Sequence, residues 1–146
     1  MCVGFLKTRK QRAVESSPFI RVTCAVISRH GRILVARRGP GMKMPGKWEF
    51  PGGKVEAGES EEETICREIQ EELSLTIRVT DRWPAVFHDY GSFRIELIPF
   101  LAEALSGEAV PSEHDQICWL TPAELKDLDW AEADLPVMRQ LTTDAR

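Results

Sequence analysis

The order of the predicted elements indicates an α+β fold. Two β-branched apolar segments come first, one amphipathic helix follows, and further extended segments precede the last helical ones. A parallel α/β protein would instead alternate strand and helix regularly. The 146 residues suffice for one domain with its own core. We therefore expect a mobile, basic segment over residues 1–18 and a single α+β domain over residues 19–146.

The domain is predicted to begin with a β-hairpin. Residues 19–28 are β-branched and apolar, with apolar side chains at alternate positions. His30 and Gly31 are typical of a hairpin turn, and residues 32–37 return as the second strand. A loop rich in glycine and proline then continues to about residue 47.

A short strand and a turn are expected before the first helix. Residues 48–50 fit the end of a strand. Pro51, Gly52 and Gly53 fit a turn, because glycine places little steric restriction on the backbone.

Residues 60–73 give the clearest helix signal. Ser60 is a favourable N-cap, and Glu63 completes a capping box with it. Glu63 and Arg67 also form an i,i+4 pair in the favourable order. Apolar residues recur at every fourth position and predict the buried stripe, which consists of Ile65, Ile69 and Leu73.

The rest of the chain is predicted to be mostly extended, with two short helices. Strand-like segments occur at residues 76–80, 84–90, 93–105 and 116–120. Pro99 lies inside the longest segment and should mark a bulge or a sheet edge, because proline has no N–H to donate. A helix with a second capping box is expected at residues 121–128, and the last helix at about 134–141.

Charge and composition exclude several classes of function. The net charge is −4, whereas nonspecific binding to a nucleic-acid duplex needs a basic surface, so no nucleic-acid polymer is expected as a partner. No segment approaches the roughly 18 apolar residues of a membrane span, and the N-terminus lacks the apolar region of a secretory signal. Its basic residues leave a mitochondrial presequence as the alternative to a cytoplasmic location.

The four cysteines indicate neither a disulfide framework nor a zinc site. They form no closely spaced pair and lie at Cys2, Cys24, Cys66 and Cys118. Free thiols in a reducing cytoplasm are the simplest interpretation.

Acidic residues are concentrated around the clearest predicted helix. Eight of the 23 fall between Glu56 and Glu72. Helical spacing places Glu68, Glu71 and Glu72 on one face, roughly 5–6 Å apart. Such carboxylates are ligands that Mg²⁺ or Mn²⁺ takes together with substrate phosphates. The alternative is a solvated helix face, although Glu68 and Glu72 would then repel each other.

The motif around these acids resembles the Nudix box. The residues at the spacing of that box are Gly53, Glu59 and the run from Arg67 to Glu72. The segment from Trp48 to Glu56 is similar to that of MutT-like members of the family. The resemblance covers about residues 20–141 and implies a Nudix α/β/α sandwich with a mixed central sheet and a loop–helix–loop box. Ser74 departs from the usual glycine, which implies an altered helix end.

The resemblance also implies a reaction and its residues. Nucleoside triphosphates would be hydrolysed to a monophosphate and pyrophosphate with Mg²⁺, or with Mn²⁺ as a substitute. The implied metal ligands are the Gly52 carbonyl and the carboxylates of Glu68, Glu71, Glu72 and Glu113. The implied catalytic residues are Arg67, Glu68, Glu71 and Glu113. Arg67 would orient the glutamates through charge-assisted hydrogen bonds, with Glu59 supporting it from behind the metal ligands.

Three further residues are implied to contact the substrate. Arg38 ends the second strand and resembles a substrate-binding arginine of MutT-like members. Lys54 follows the glycines and would pair with a phosphate. Asp134 matches a position that reads the base. The plainer alternatives are an exposed lysine for Lys54, a loop acid for Glu113 and a helix N-cap for Asp134.

Several functions remain open within this interpretation. The leading one is removal of oxidised purine nucleotides such as 8-oxo-dGTP, by a monomer or homodimer. The alternative substrates are CTP, dCTP or a modified pyrimidine triphosphate. A Nudix-fold binding module without catalysis is the alternative of another class, although every carboxylate of the box is present. Base preference depends on a few pocket residues.

Overall fold

The computed structural model describes residues 18–144, so the predicted N-terminal segment lies almost entirely outside the described residues. The strands there are β1 (Ile20–Arg29), β2 (Arg32–Arg37), β3 (Trp48–Glu49), β4 (Gly52–Lys54), β5 (Thr76–Arg82), β6 (Val86–Asp89), β7 (Arg94–Ser106) and β8 (Gln116–Leu120). The α-helices are α1 (Glu61–Leu73) and α2 (Leu135–Asp144), and the 3₁₀ segments are Pro122–Asp127 and Glu132–Asp134.

These strands join one mixed sheet. Its main order is β3-β2-β1-β7-β5, while β4, β6 and β8 pair with β1, β7 and β2, respectively. β1 and β7 run parallel, from Ile20 opposite Ile95 to Ser28 opposite Glu103. The other paired strands are antiparallel. The mixed sheet with few helices confirms the α+β prediction.

The strands supply two cores on opposite faces of the sheet. In β1, Ala25 and Ile27 pack with the predicted stripe of α1, which consists of Ile65, Ile69 and Leu73. Cys24 and Val26 pack into the second core, which includes Val137 and Met138 of α2. Side chains alternate along a strand, so a single strand serves both cores. The sheet therefore lies between helical layers, as the α/β/α prediction requires.

The prediction of a turn at Gly52 and Gly53 is wrong. Both residues belong to β4, which pairs antiparallel with β1, and neither has a positive φ. A Cβ on Gly52 would lie 2.0 Å from the carbonyl oxygen of Thr23. Glycine is required there by the close approach of two backbones, and backbone freedom is not the reason.

Two turns depend on residues with a positive φ. His30 (φ 53°) and Gly31 (φ 77°) form the predicted hairpin turn between β1 and β2. Ser74 ends α1 with φ 57°, and its N–H donates to the Gln70 carbonyl at 3.0 Å. The helix therefore ends in an ordinary left-handed residue, and the expectation of an altered helix end is wrong.

Two further predictions are wrong, namely a sheet edge at Pro99 and a pair between Glu63 and Arg67. Pro99 lies in β7, which has partners on both sides, and its carbonyl accepts the Trp83 N–H where the chain passes from β5 to β6. The ladder is interrupted at this point, so a missing donor costs little. Glu63 accepts the Ser60 N–H in the capping box, whereas Arg67 bonds other acids, so the predicted Glu63–Arg67 pair is not formed.

The other predicted segments are present within three residues of their expected bounds, except that residues 121–128 contain a 3₁₀ helix. No helix within the described residues is long and apolar enough to cross a membrane. Cys24, Cys66 and Cys118 are free thiols, as predicted, whereas Cys2 lies outside the described residues.

Candidate active site

A cavity of about 260 Å³ lies against β1, β4 and β7. Its volume is near the lower limit for small-molecule sites, roughly 300 Å³. The predicted site residues that line it are Arg38, Gly52, Lys54 and Asp134. The fold thus brings residues from three distant segments of the chain to one concave surface.

Asp134 is a buried acid in the wall of this cavity. Its Oδ2 accepts the Phe50 N–H at 2.9 Å. Burial, followed by the nearby carboxylate of Glu49, raises the pKa of Asp134 well above its usual value. The side chain therefore bonds to the segment after β3 and not to the start of α2, which disfavours the N-cap alternative.

Arg38 is held by two acceptors. Its Nη1 donates to Oε1 of Glu49 at 2.5 Å, and its Nε donates to the backbone carbonyl of Lys43. The Arg38 and Glu49 side chains are only 17% and 14% exposed. A guanidinium has five N–H groups, so further donors remain for a ligand in the cavity.

Glu49 also contacts a buried histidine. Nε2 of His114 lies 2.8 Å from Oε2 of Glu49, and the His114 side chain is 1% exposed. Sequence reasoning missed both residues. Glu49 carried a signal, because it is a lone acid between Trp48 and Phe50. The position of His114 next to Glu113 indicated nothing by itself.

Tyr90 is a third residue that sequence reasoning missed. It lines the cavity, and its hydroxyl accepts the Ala133 N–H at 2.9 Å. This bond holds the short 3₁₀ segment that carries Asp134. Only the distance between β6 and that segment along the chain concealed the contact.

The acidic face of α1 meets the cavity at Gly53. A Cβ on Gly53 would lie 2.2 Å from Cδ of Glu68, so only glycine allows the carboxylate so close. Gly53 lines the cavity, and its carbonyl accepts the Thr23 hydroxyl at 3.0 Å. The predicted acidic cluster and the cavity therefore adjoin.

Arg67 bridges Glu59 and two carboxylates of this face. Its Nε and Nη2 donate to the two oxygens of Glu59 at 2.5 and 2.9 Å. Its Nη1 donates to Glu68 and Glu71, at 3.1 Å in each case. The Arg67 hydrogen bonds lower the pKa of Glu59 to about 2. Glu59 and Arg67 thus form a fixed support for two of the predicted metal ligands.

Glu72 is a half-buried member of the cluster, with one buried oxygen. Its Oε1 has no hydrogen-bond partner. Its pKa is raised to about 9, chiefly by burial and then by the neighbouring carboxylates of Glu68, Glu49 and Glu113. The Ser112 N–H donates to the Glu72 carbonyl at 3.1 Å, which brings the loop of Glu113 to the helix. Three of the predicted metal ligands, namely Glu68, Glu72 and Glu113, are therefore close enough for their charges to interact.

The chemistry of this cluster fits a divalent cation, although its side chains do not form a finished coordination shell. Among residues 18–144, no three acidic, histidine or cysteine side chains are arranged around a common point for a metal ion. Arg67 engages Glu68 and Glu71, while the bare Oε1 of Glu72 is surrounded by like charges. A cation would supply the missing partner.

The chain is similar to known Nudix proteins over most of its length. A family model described as NUDIX domain matches residues 18–141. The CTP pyrophosphohydrolase of Escherichia coli is 33% identical over 119 residues, which are 82% of this chain and 88% of that protein. The 8-oxo-dGTP diphosphatase of the same organism is 31% identical over 112 residues, which are 77% of this chain and 87% of that protein.

A solved structure supports the same assignment. The solution structure of MutT from methicillin-resistant Staphylococcus aureus 252, named a Nudix hydrolase, has a TM-score of 0.72 to this chain at 35% identity. The similarity covers 88% of this chain and 98% of that one. Because the family model spans more than half of the residues and the folds agree, this chain is a member of the Nudix hydrolase family.

Proposed function

We propose that this protein hydrolyses nucleoside triphosphates to a monophosphate and pyrophosphate, and that oxidised purine nucleotides such as 8-oxo-dGTP are its substrates. The observation that carries the proposal is the junction at Gly53, where the cavity adjoins the acidic face of α1. A nucleotide needs an enclosed site for its base and a cation site for its phosphates. Here the two are neighbours.

The proposed metal is Mg²⁺, for which Mn²⁺ can substitute. Its ligands would be the Gly52 carbonyl and the carboxylates of Glu68, Glu71, Glu72 and Glu113. When bound, the ion neutralises phosphate charge and makes water a stronger nucleophile. The buried, unpaired oxygen of Glu72 supports this assignment most directly.

Arg67 and Glu59 act as positioning residues in this proposal. Their two-bond pairing fixes the guanidinium, and Nη1 then holds the carboxylates of Glu68 and Glu71 in one orientation. We assign the proton of the attacking water to Glu68, Glu71 or Glu113, the carboxylates that the family resemblance implies to be catalytic.

Three residues of the cavity are assigned to the nucleotide itself. Lys54 follows Gly53 in β4, lines the cavity and would pair with a phosphate. Arg38 has N–H groups to spare after bonding Glu49. Asp134 would read the base, because a carboxylate accepts from the exocyclic amine and ring N–H of guanine.

CTP and dCTP form the alternative substrate class. The carboxylate of Asp134 would equally accept from the cytosine amine, and one relative is named a CTP pyrophosphohydrolase. A nucleotide-binding module without catalysis is the alternative of another class.

A hydrolysis screen tests these proposals. Monophosphate and pyrophosphate would be measured from 8-oxo-dGTP, dGTP, CTP and dCTP, with Mg²⁺ and with EDTA. We expect the highest kcat/KM for 8-oxo-dGTP and no turnover in EDTA. Preference for a cytidine nucleotide would select the alternative substrate, and full turnover in EDTA would contradict metal dependence. Binding without turnover would select the binding module.

Matched variants separate the acidic face from the rest of α1. Glu71→Gln should lower kcat by orders of magnitude, because it removes one of the charges proposed to hold the metal. Glu62→Gln alters an exposed acid in the first turn of the same helix and should leave kcat unchanged. Equal activity in both variants would mean that the acidic face is only a solvated surface.

A further inference from the structure

We propose that His114 is a positioning residue for this active site. The ring fixes the carboxylate of Glu49, which in turn holds Arg38 at the cavity. The same ring anchors the loop that carries Glu113. The inference rests on the proposed function, because Arg38 and Glu113 are assigned their roles there.

The burial of His114 is the first observation. Its side chain is 1% exposed, although its neighbours Glu113 and Asp115 are both exposed. A polar ring taken from an exposed loop into the protein loses its hydration and must be compensated by a hydrogen bond. The bond to Glu49 is that compensation.

The surroundings of the two ring nitrogens show which hydrogen bond His114 makes. Nε2 lies 2.8 Å from Oε2 of Glu49, and Nδ1 is buried without a partner. An ionised carboxylate only accepts hydrogen bonds, so Nε2 carries the hydrogen of this contact. Within the described residues the His114 side chain thus has one polar partner, Glu49.

The carboxylate of Glu49 links His114 to Arg38. One oxygen of the carboxylate accepts from His114, and the other accepts from Nη1 of Arg38 at 2.5 Å. Arg38 and Glu49 line the cavity, whereas His114 does not. His114 therefore acts on a ligand only through Glu49 and Arg38. Without the ring, the carboxylate could rotate and release the guanidinium.

The loop around His114 is fixed on both sides. The N–H of Asp115 donates to the Arg37 carbonyl at 3.1 Å, and its carboxylate accepts from Nε of Arg37 at 2.7 Å. On the other side, a Cβ on Gly39 would lie 2.2 Å from the Glu113 carbonyl oxygen. The buried ring between these contacts sets where Glu113 stands relative to the acidic face.

Kinetic variants test the inference. Glutamine carries its amide nitrogen as many bonds from Cα as histidine carries Nε2, so His114→Gln preserves a donor to Glu49. We expect His114→Leu to lower kcat/KM by about 10–100-fold, mainly through a higher KM, and His114→Gln to stay within about fivefold. In a Glu49→Gln background, His114→Leu should cost no more than about threefold further. The matched control is His30→Asn, in the exposed hairpin turn, which should behave as wild type.

A second measurement does not depend on turnover. Long-range ¹H–¹⁵N spectra of the full-length protein report which imidazole nitrogen carries hydrogen, and loss of signals in His114→Gln identifies the His114 resonances. We expect hydrogen on Nε2, with the Nε2 signal shifted in Glu49→Gln. Wild-type protein that hydrolyses no triphosphate would contradict the proposed function. The spectra would still show whether Nε2 of His114 donates to Glu49.

Two results would overturn the inference. One is a His114→Leu variant that melts earlier than wild type but keeps its KM, since the histidine would then serve the fold alone. The other is a ring with hydrogen on Nδ1 and no response to Glu49→Gln.

Discussion

Replacing Glu72 by glutamine should stabilise the metal-free protein while abolishing most of its activity. The half-buried carboxyl of Glu72 lies near the charges of Glu68, Glu49 and Glu113, and its buried Oε1 has no partner. Glutamine has nearly the same volume but carries no charge. The substitution therefore removes an electrostatic penalty from the folded state without creating a cavity.

The magnitude follows from proton linkage. The pKa of Glu72 rises from an ordinary 4.5 to about 9 in the folded protein. Between these values the unfolded chain releases a proton that the folded chain keeps, so the free energy of unfolding falls as pH rises. Integrated from pH 4.5 to pH 7 at about 1.4 kcal/mol per pH unit, the penalty reaches about 3 kcal/mol.

Thermal and urea unfolding in EDTA at several pH values would measure the effect. At pH 7.5 we expect Glu72→Gln to be more stable than wild type by about 1–3 kcal/mol, or roughly 3–10 °C in Tm. The gain should shrink as pH falls towards 5. Mg²⁺ should stabilise wild type more than the variant, because a cation that binds only the folded protein shifts the equilibrium towards folding.

Glu71→Gln is the matched control on the same helix. The Glu71 side chain is 60% exposed and pairs with Arg67, so its loss should change stability by less than about 1 kcal/mol. If Glu72→Gln were no more stable than Glu71→Gln at pH 7.5 in EDTA, buried like-charge repulsion at Glu72 would be refuted.

Three further predictions concern the helix end and the cavity. Ser74→Gly should raise stability by about 0.5–1 kcal/mol in urea unfolding, because Ser74 has φ 57°, with kcat unchanged; lower stability would contradict this. Tyr90→Phe should cost about 1–2 kcal/mol and raise KM, because the Ala133 N–H loses its acceptor; an unchanged Tm and KM would refute the contact. Asp134→Ala should flatten the ranking of kcat/KM among 8-oxo-dGTP, dGTP and dCTP; an unchanged ranking would remove Asp134 from the site.

Local rules were sufficient to predict most of the fold. His30 and Gly31 form the expected turn, and the capping box at Ser60 and Glu63 begins α1 as predicted. The turn predicted at Gly52 was wrong because its glycine serves a tertiary contact. The Thr23 backbone that excludes a side chain there belongs to a distant segment, and composition alone does not reveal it.

For the same reason, the sequence predicted the part of the candidate site on α1 but not the contacts between distant segments. The carboxylates on α1 share one helix, so their spacing predicts their proximity. Glu49 and His114 are separated by 65 residues and meet only through the sheet. Tyr90 and Ala133 likewise meet across 43 residues. A lone histidine or tyrosine carries no periodic signal, and its partner becomes visible only once the strands are paired.

The departures from local rules are concentrated at the candidate site. Glu68 and Glu72 are like charges four residues apart, and Asp134 is an acid with raised pKa in a buried position. Two glycines occupy a strand, where glycine is ordinarily unfavourable. Away from this region, the hairpin turn, the capping box at Ser60 and the period-four stripe agree with the fold. Conflicts that a stable fold would otherwise remove are best explained by a demand for ligand binding. A cation beside Glu72 and a base beside Asp134 would resolve the two electrostatic conflicts. Gly52 allows the close backbone approach to Thr23, and Gly53 allows the Glu68 carboxylate to approach β4, where the cavity and the acidic helix adjoin.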